Sequence, residues 1–341
     1  MGNRATPPRS FNTIRQTQYK KRAQREMHRR ILLLAICAVL ILIFLAISVL
    51  LVCSLVETIG SSISNDSESP NEDFGNHSNN PIEYISATKY KDDIHYGPLI
   101  LVNTLNNGDH EYQFPTKGEN TLVVISEYRI DDELYTVSDP VSKKMQVEAV
   151  NAFNEMISKY VELSGIKRAV NISDAYRSYS QQGKNKGFSD HHTGYCFALD
   201  MEDDAAEWIY ENCHKYGFIQ RYPQNKKEET GVIEDYTECF RYVGVAHATY
   251  ITENHLCLEE YIDMLQTEHR YKTDKHLTIQ GGDGNQYMVY YVPASGDKVT
   301  TLYIPENYSY TISGDNTDDK NNDSDNVGGF IVTVNLSDPL D

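Results

Sequence analysis

One stretch of the chain concentrates residues that could do chemistry. Ser189-Asp190-His191-His192-Thr193-Gly194-Tyr195-Cys196-Phe197-Ala198-Leu199-Asp200 sets histidine and aspartate on either side of a turn and a strand. Neutral imidazole and carboxylate are both zinc donors, and two of them converge on one ion where the chain doubles back. The same residues also read as a surface histidine pair beside an acidic helix start. Cys196, Cys213, Cys239 and Cys257 show no CxxC spacing, so no zinc knuckle is indicated. In an oxidising compartment these four could pair as disulfides. Cys213 and Cys257 lie in helix-like apolar patterns that suit buried free thiols better.

The flanking segments supply the elements that must hold this stretch in place. Lys143–Leu163 has Met145, Val147, Val150, Phe153, Met156, Ile157, Tyr160 and Val161 at 3–4 spacing, which predicts an amphipathic helix. Ala169-Val170-Asn171-Ile172 reads as a buried strand leading into Asp174-Ala175-Tyr176-Arg177. Asp203–Tyr216 reads as a helix stopped by Gly217, and Ala246–Leu265 as one helix or two. Phe218–Tyr222 and Phe240–Val243 are strand-like. Upstream, Leu99–Asn103 and Thr121–Ile125 are short apolar runs that predict strands, the first followed by the turn Asn106-Asn107-Gly108. Residues 276–341 change to short β-rich runs separated by turns, which predicts a small all-β appendage. Within it Asp315–Asn326 has alternating Asp and Asn but lacks the central Gly and closing Glu of a calcium loop, and reads as a solvated loop.

The 341 residues carry 31 Lys+Arg against 49 Asp+Glu, a net charge of −18, which argues against nucleic acid as a partner. The charge is segregated. Residues 1–30 hold nine Lys/Arg and the single acid Glu26, and the acidic excess falls in residues 57–341. Between them Ile31–Val56 is uncharged for 26 residues. At about 1.5 Å per residue a helix of that length reaches roughly 39 Å, enough to cross a hydrocarbon core of about 30 Å with tilt. It is too long for the apolar core of a cleaved signal, and Leu55-Val56-Glu57 offers no small-residue cleavage site. The expectation is a single transmembrane helix with a basic cytoplasmic tail and an extracytoplasmic body. Residues 57–95, rich in Ser, Asn and Asp, are expected to be a disordered linker.

Several ordered motifs together carry a family resemblance. Tyr176-Arg177-Ser178-Tyr179-Ser180-Gln181-Gln182, Ser189-Asp190-His191-His192-Thr193-Gly194, Lys215–Pro223, Thr230-Gly231 and Phe240-Arg241-Tyr242-Val243-Gly244 resemble the VanY-type D-alanyl-D-alanine carboxypeptidases. These are zinc peptidases acting on peptidoglycan stem peptides. The resemblance covers roughly residues 97–270. Leu256–Tyr261 and the tail from Ile312 look like the version found in Gram-positive anaerobes. It implies an α+β fold with a central antiparallel sheet over 96–270.

The resemblance also implies site residues. The family motif Ser-x-His-x-x-Gly-x-Ala-x-Asp supplies two zinc ligands. His191 matches the first, and Asp200 is the aspartate available for the second, two residues late. Such a slip keeps a strand side chain on the same face but moves it about 6.8 Å, so a bulge is expected, with His192 as the fallback ligand. In the family's Glu-Pro-Trp-His-Phe-Arg-Tyr-Val-Gly segment, Cys239 falls in the slot of the third ligand. Tyr236 falls in that of the general base, and Glu238 in that of the Trp. Thiolate binds zinc well, so a His191/Asp200/Cys239 site with an open water position is the expectation. Glu238, Glu234, Asp235 and Tyr236 are the candidate bases. Arg177 matches the arginine that pairs with the peptide's terminal carboxylate, and Gln182 and Ser189 match peptide-binding positions. The expected function is a membrane-anchored zinc carboxypeptidase that trims a stem peptide ending in D-Ala. The alternatives are a catalytically impaired wall-peptide-binding protein on the same fold and an interaction scaffold whose β region does the work.

Overall fold

The computed structural model describes residues 83–340, apart from 108–110, 113, 115–117, 119, 233, 235, 272–275, 296–298 and 318–327. The expected cytoplasmic tail, the membrane helix and the linker up to residue 82 lie outside the described residues, as does most of the acidic loop. Among the described residues no helix is long and apolar enough to cross a membrane.

Order starts earlier than the linker composition suggests. Tyr84–Tyr90 forms β1, which pairs in antiparallel register with a strand far downstream, and a 3-10 turn follows at Lys91–His95. The run from Leu99 to Val102 is not a strand. It is irregular backbone buried on both sides, and its hydrogen bonds are long-range: Leu99 N donates to Ser313 Oγ at 2.9 Å and Leu101 N to the Asp315 carbonyl at 2.9 Å. β2 (Leu122–Val124) pairs with β4 (Lys144–Gln146), and β3 (Thr136–Val137) joins the main sheet.

Helix α1 (Val147–Ser164) buries Val150, Phe153, Met156, Ile157 and Tyr160 on the predicted stripe, and Gly165 at φ 71° ends it. It starts four residues later than its periodicity suggests because Lys144–Gln146 is committed to β4. β5 (Val170–Asp174), β6 (Cys196–Met201), β7 (Phe218–Gln220) and β8 (Cys239–Tyr242) complete a five-stranded sheet in the order β3-β5-β6-β8-β7. β3 and β5 are parallel, and the other pairings are antiparallel. Helix α2 (Asp203–Asn212) gives way to a 3-10 turn at Cys213–Tyr216, closed by Gly217 at φ 85°. One face of the sheet packs on α1 and α2. Phe153, Phe197 and Phe218 meet there edge to face, with centroids 5.4–6.2 Å apart. Each fully buried phenylalanine contributes about 1.5–3 kcal/mol by leaving water.

Helices α3 (Val245–Glu253) and α4 (Leu258–Glu268) follow. β9 (Leu277–Gln280), β10 (Gln286–Pro293), β12 (Tyr308–Gly314) and β13 (Gly329–Pro339) then form an antiparallel sheet in the order β12-β13-β10-β9, while β11 (Val299–Pro305) pairs with β1. This β region shares a core with what precedes it: Leu99, Ile219, Val243 and Leu258 pack in one cluster with Val289, Tyr291 and Ile331. Asn80–Asp341 accordingly forms one compact unit, and the β region is continuous with it.

Candidate functional site

A 3-10 turn, Asp190–Thr193, carries the two histidines just before β6. Gly194 closes it at φ 74°, where a Cβ would meet the Leu122 side chain at 2.7 Å. The turn is anchored from below. Asp190 is fully buried, with Oδ2 accepting from Arg221 Nε at 2.6 Å and Oδ1 from Arg241 Nη1 at 2.6 Å. Arg221 also forks onto Glu259 of α4 at 2.6 and 3.0 Å, and Arg241 Nη2 donates to the carbonyls of Pro98 and Ile100. Burial works to raise the Asp190 pKa, but the two guanidinium groups hold it below the usual carboxylate value.

The turn fixes both imidazoles. His191 Nδ1 donates to the Ala175 carbonyl at 2.9 Å, which leaves the lone pair on Nε2. Burial lowers its pKa against the pull of Asp174. His192 spends both nitrogens: Nδ1 donates to the Arg177 carbonyl at 2.8 Å and Nε2 accepts from Gly187 N at 3.1 Å. It is therefore a structural residue, and the fallback ligand of the sequence reading is not available.

Arg177 and Gln182 come together as expected, Arg177 Nη1 donating to Gln182 Oε1 at 3.1 Å. Arg177 N bonds the His191 carbonyl at 3.2 Å, which lays this segment beside the turn, and Ser189 stands extended just before it. The guanidinium also has a partner that sequence reasoning missed. Arg177 Nη2 pairs with Asp174 Oδ2, and Lys143 Nζ holds Asp174 Oδ1 at 2.6 Å. Burial raises the Asp174 pKa, yet the bonds from Lys143 and Arg177 bring it below its ordinary value. The available signal was an aspartate three residues before Arg177 at the end of a buried strand. Arg221 and Arg241 offered a similar one, because cations inside apolar strands need buried acids.

The expected metal donors do not gather. Cys196, Ala198 and Asp200 share the face of β6 opposite Phe197 and Leu199. In ungapped register the motif's aspartate position is Ala198, which sits opposite Asp174 in β5 and Cys239 in β8. Asp200 lies two residues further along, opposite Asn171, exposed, and accepting from Asn171 Nδ2 at 3.0 Å. The irregularity falls in β5, between Ile172 and Asp174, so it does not draw Asp200 back toward His191. Cys239 is buried facing Ala198, and desolvation, reinforced by Glu238, pushes its thiol up to about 12. Cys196, Cys213, Cys239 and Cys257 are all free and buried. Tyr236 is 42% exposed with its ring against Tyr222. Glu238 is half-buried, Glu234 is exposed, and Asp235 lies outside the described residues.

A zinc ion of the family kind needs three protein donors at about 2.0–2.3 Å. Among the described residues no three His, Cys, Asp or Glu side chains are grouped to share one ion. His191 offers one nitrogen, methyl-bearing Ala198 offers nothing, and Asp174 is already bridged by two cations. The described residues do not fit the metal. A cavity of about 680 Å³ at the β7 edge, lined by Tyr210, Gln220, Pro223, Thr237 and His255, includes none of these residues and is not the chemical site.

Comparison with known proteins agrees with the fold. No family model matches the chain. A D-alanyl-D-alanine carboxypeptidase of Enterococcus faecium is 30% identical over 292 residues, covering 77% of this chain and 86% of the relative. A second D-alanyl-D-alanine carboxypeptidase, from Enterococcus faecalis, is 30% identical over 201 residues, covering 54% of this chain and 73% of the relative. Among solved structures, the vancomycin-resistance D,D-dipeptidase VanXYg, in complex with a D-Ala-D-Ala phosphinate analogue, aligns with a TM-score of 0.58 at 24% identity. It covers 74% of this chain and 99% of that one, a likeness of fold.

Proposed function

Because this chain belongs to the VanY-type D-alanyl-D-alanine carboxypeptidase family, we propose that it acts on peptidoglycan stem peptides ending in D-Ala, as its relatives' names indicate. One observation carries the reading: Arg177 is braced by Gln182 beside the His191 turn and 38% exposed, so a planar cation is presented where a peptide carboxylate would dock. Ser189, extended just before the turn, is the hydrogen-bonding group proposed for the peptide. The buried Asp190–Arg221–Arg241 cluster keeps the turn rigid, so the peptide end meets a preformed surface. From the sequence we infer that the uncharged Ile31–Val56 stretch anchors the body outside the cell, with the basic N-terminus in the cytoplasm.

Zinc, which the resemblance implied, is left out of this proposal because its donors do not converge. A second reading, a wall-peptide-binding protein with impaired hydrolysis, is favoured by Ala198, Cys239 and Tyr236 at the positions of two metal ligands and the base. The test pairs calorimetric titration of the full-length protein with a D-Ala-D-Ala pentapeptide and measurement of D-Ala release. Peptide-dependent heat with D-Ala release supports carboxypeptidase action. Heat without release supports the second reading, and neither signal overturns both.

A further inference from the structure

The cluster beside His191 differs from a metalloenzyme site in what it has gained as well as in what it lacks. Asp174 sits at the end of β5, opposite Ala198, and its two oxygens are taken by Lys143 and Arg177. A register shift falls between Ile172 and Asp174, and the carboxylate lies near enough to His191 to act on its charge. The three charges sum to one positive charge, so the cluster still attracts an anion. A carboxylate already lies against the guanidinium that would take the peptide's terminal carboxylate.

We propose that this cluster is a metal-independent site for a peptide bearing a free C-terminal carboxylate, in which the Asp174 side chain stands in for that carboxylate until the peptide arrives. The inference rests on the peptide specificity proposed above and adds how the peptide is held. On binding, the peptide carboxylate takes the Arg177 fork, and Asp174 stays with Lys143. One charge-assisted pair at Arg177 is exchanged for another, so affinity is set by competition between an internal and an incoming carboxylate. Lys143 acts as a positioning residue that retains Asp174 after displacement.

The described donor set is not one that would hold the metal. Ala198 removes the carboxylate beside His191, and Cys239 faces Ala198 across the strand pair. The remaining positive charge at the peptide end comes from Lys143 and Arg177.

The experiment uses full-length protein in detergent and an N-acetylated pentapeptide ending in D-Ala-D-Ala, titrated calorimetrically after EDTA treatment and again with added zinc. The expected result is an affinity unchanged within twofold, zinc well below one equivalent by elemental analysis, and binding lost for the C-terminal amide. Asp174→Asn is expected to tighten peptide binding severalfold by freeing Arg177, at unchanged circular dichroism. The double variant Ala198→Asp with Cys239→His is expected to acquire about one equivalent of zinc. One equivalent of zinc in the wild type, with binding lost on its removal, would overturn the inference while leaving the peptide specificity standing. Weaker binding by folded Asp174→Asn would overturn the stand-in role. Absence of peptide binding with and without zinc would overturn the specificity and this inference together.

Discussion

His247 gives the most quantitative handle on the body. It lies in α3, is buried, and is wedged between two hydroxyls: Nδ1 is 2.7 Å from Tyr261 Oη in α4 and Nε2 is 2.8 Å from Thr333 Oγ1 in β13. Neutral imidazole has one donor and one acceptor, which two hydroxyls can satisfy. Burial lowers its pKa from 6.5 to about 3. Above about pH 6.5 the ring is neutral in both folded and unfolded chains and linkage adds nothing. Between about 6.5 and 3 only the unfolded chain takes up the proton, so stability falls as pH falls, by about 1.36 kcal/mol per unit. From pH 7.5 to 5.0 this one residue should remove about 2 kcal/mol, a sizeable share of the roughly 5–15 kcal/mol that holds a domain together. His191, His192, His214 and His276 are also lowered and add slopes of their own. Their contribution cancels when wild type is compared with His247→Gln, which keeps a donor and an acceptor. Urea unfolding of both proteins at the two pH values measures the difference. Parallel losses, agreeing within about 0.5 kcal/mol, would refute the assignment of a buried neutral ring.

Asp190→Asn strands Arg241 without its buried anion and should cost about 3–5 kcal/mol in urea unfolding; a loss under about 1 kcal/mol would mean the cluster is not what holds the turn. Arg177→Lys keeps the charge but loses the fork, and should weaken peptide binding about tenfold by calorimetry; unchanged affinity would remove Arg177 from the carboxylate site. Protease added to intact protoplasts should digest the body downstream of residue 57, and full protection would contradict an extracytoplasmic location.

The parts of the fold that could be read from the sequence are those whose periodicity matches their burial. The α1 stripe emerged because its apolar residues repeat with the period of the helix that buries them, and β7 and β8 emerged as short apolar runs after a glycine or a turn. Leu99–Val102 misled because a run buried on both sides looks like a strand, while its backbone partners, Ser313 and Asp315, lie more than two hundred residues away. β1 was hidden in a polar stretch because its side chains are largely exposed and only its backbone pairing is invested in the fold. At the site, the resemblance pointed to His191, Arg177 and Gln182, which do lie together. It could not locate the metal carboxylate, because a two-residue displacement along a strand leaves the face unchanged and separates Ala198 from Asp200 only in space. Asp174 went unassigned because pairing with both Lys143 and Arg177 depends on a long-range contact, Tyr176 N donating to the Lys144 carbonyl at 3.0 Å, which neither segment encodes alone.

The ladder between β1 and β11 has a mechanical consequence. A pull on the chain upstream of Glu83 enters the body at Tyr84, at the first of seven consecutive pairs running from Tyr84↔Pro305 to Tyr90↔Val299. Load arriving there peels the pairs in sequence before it reaches the five-stranded sheet, so the His191 turn is shielded by a short sacrificial zipper. A protein tethered at one end and engaged with a wall polymer at the other would yield first at β1, extend by the length of that strand, and keep the His191 turn intact while it did so.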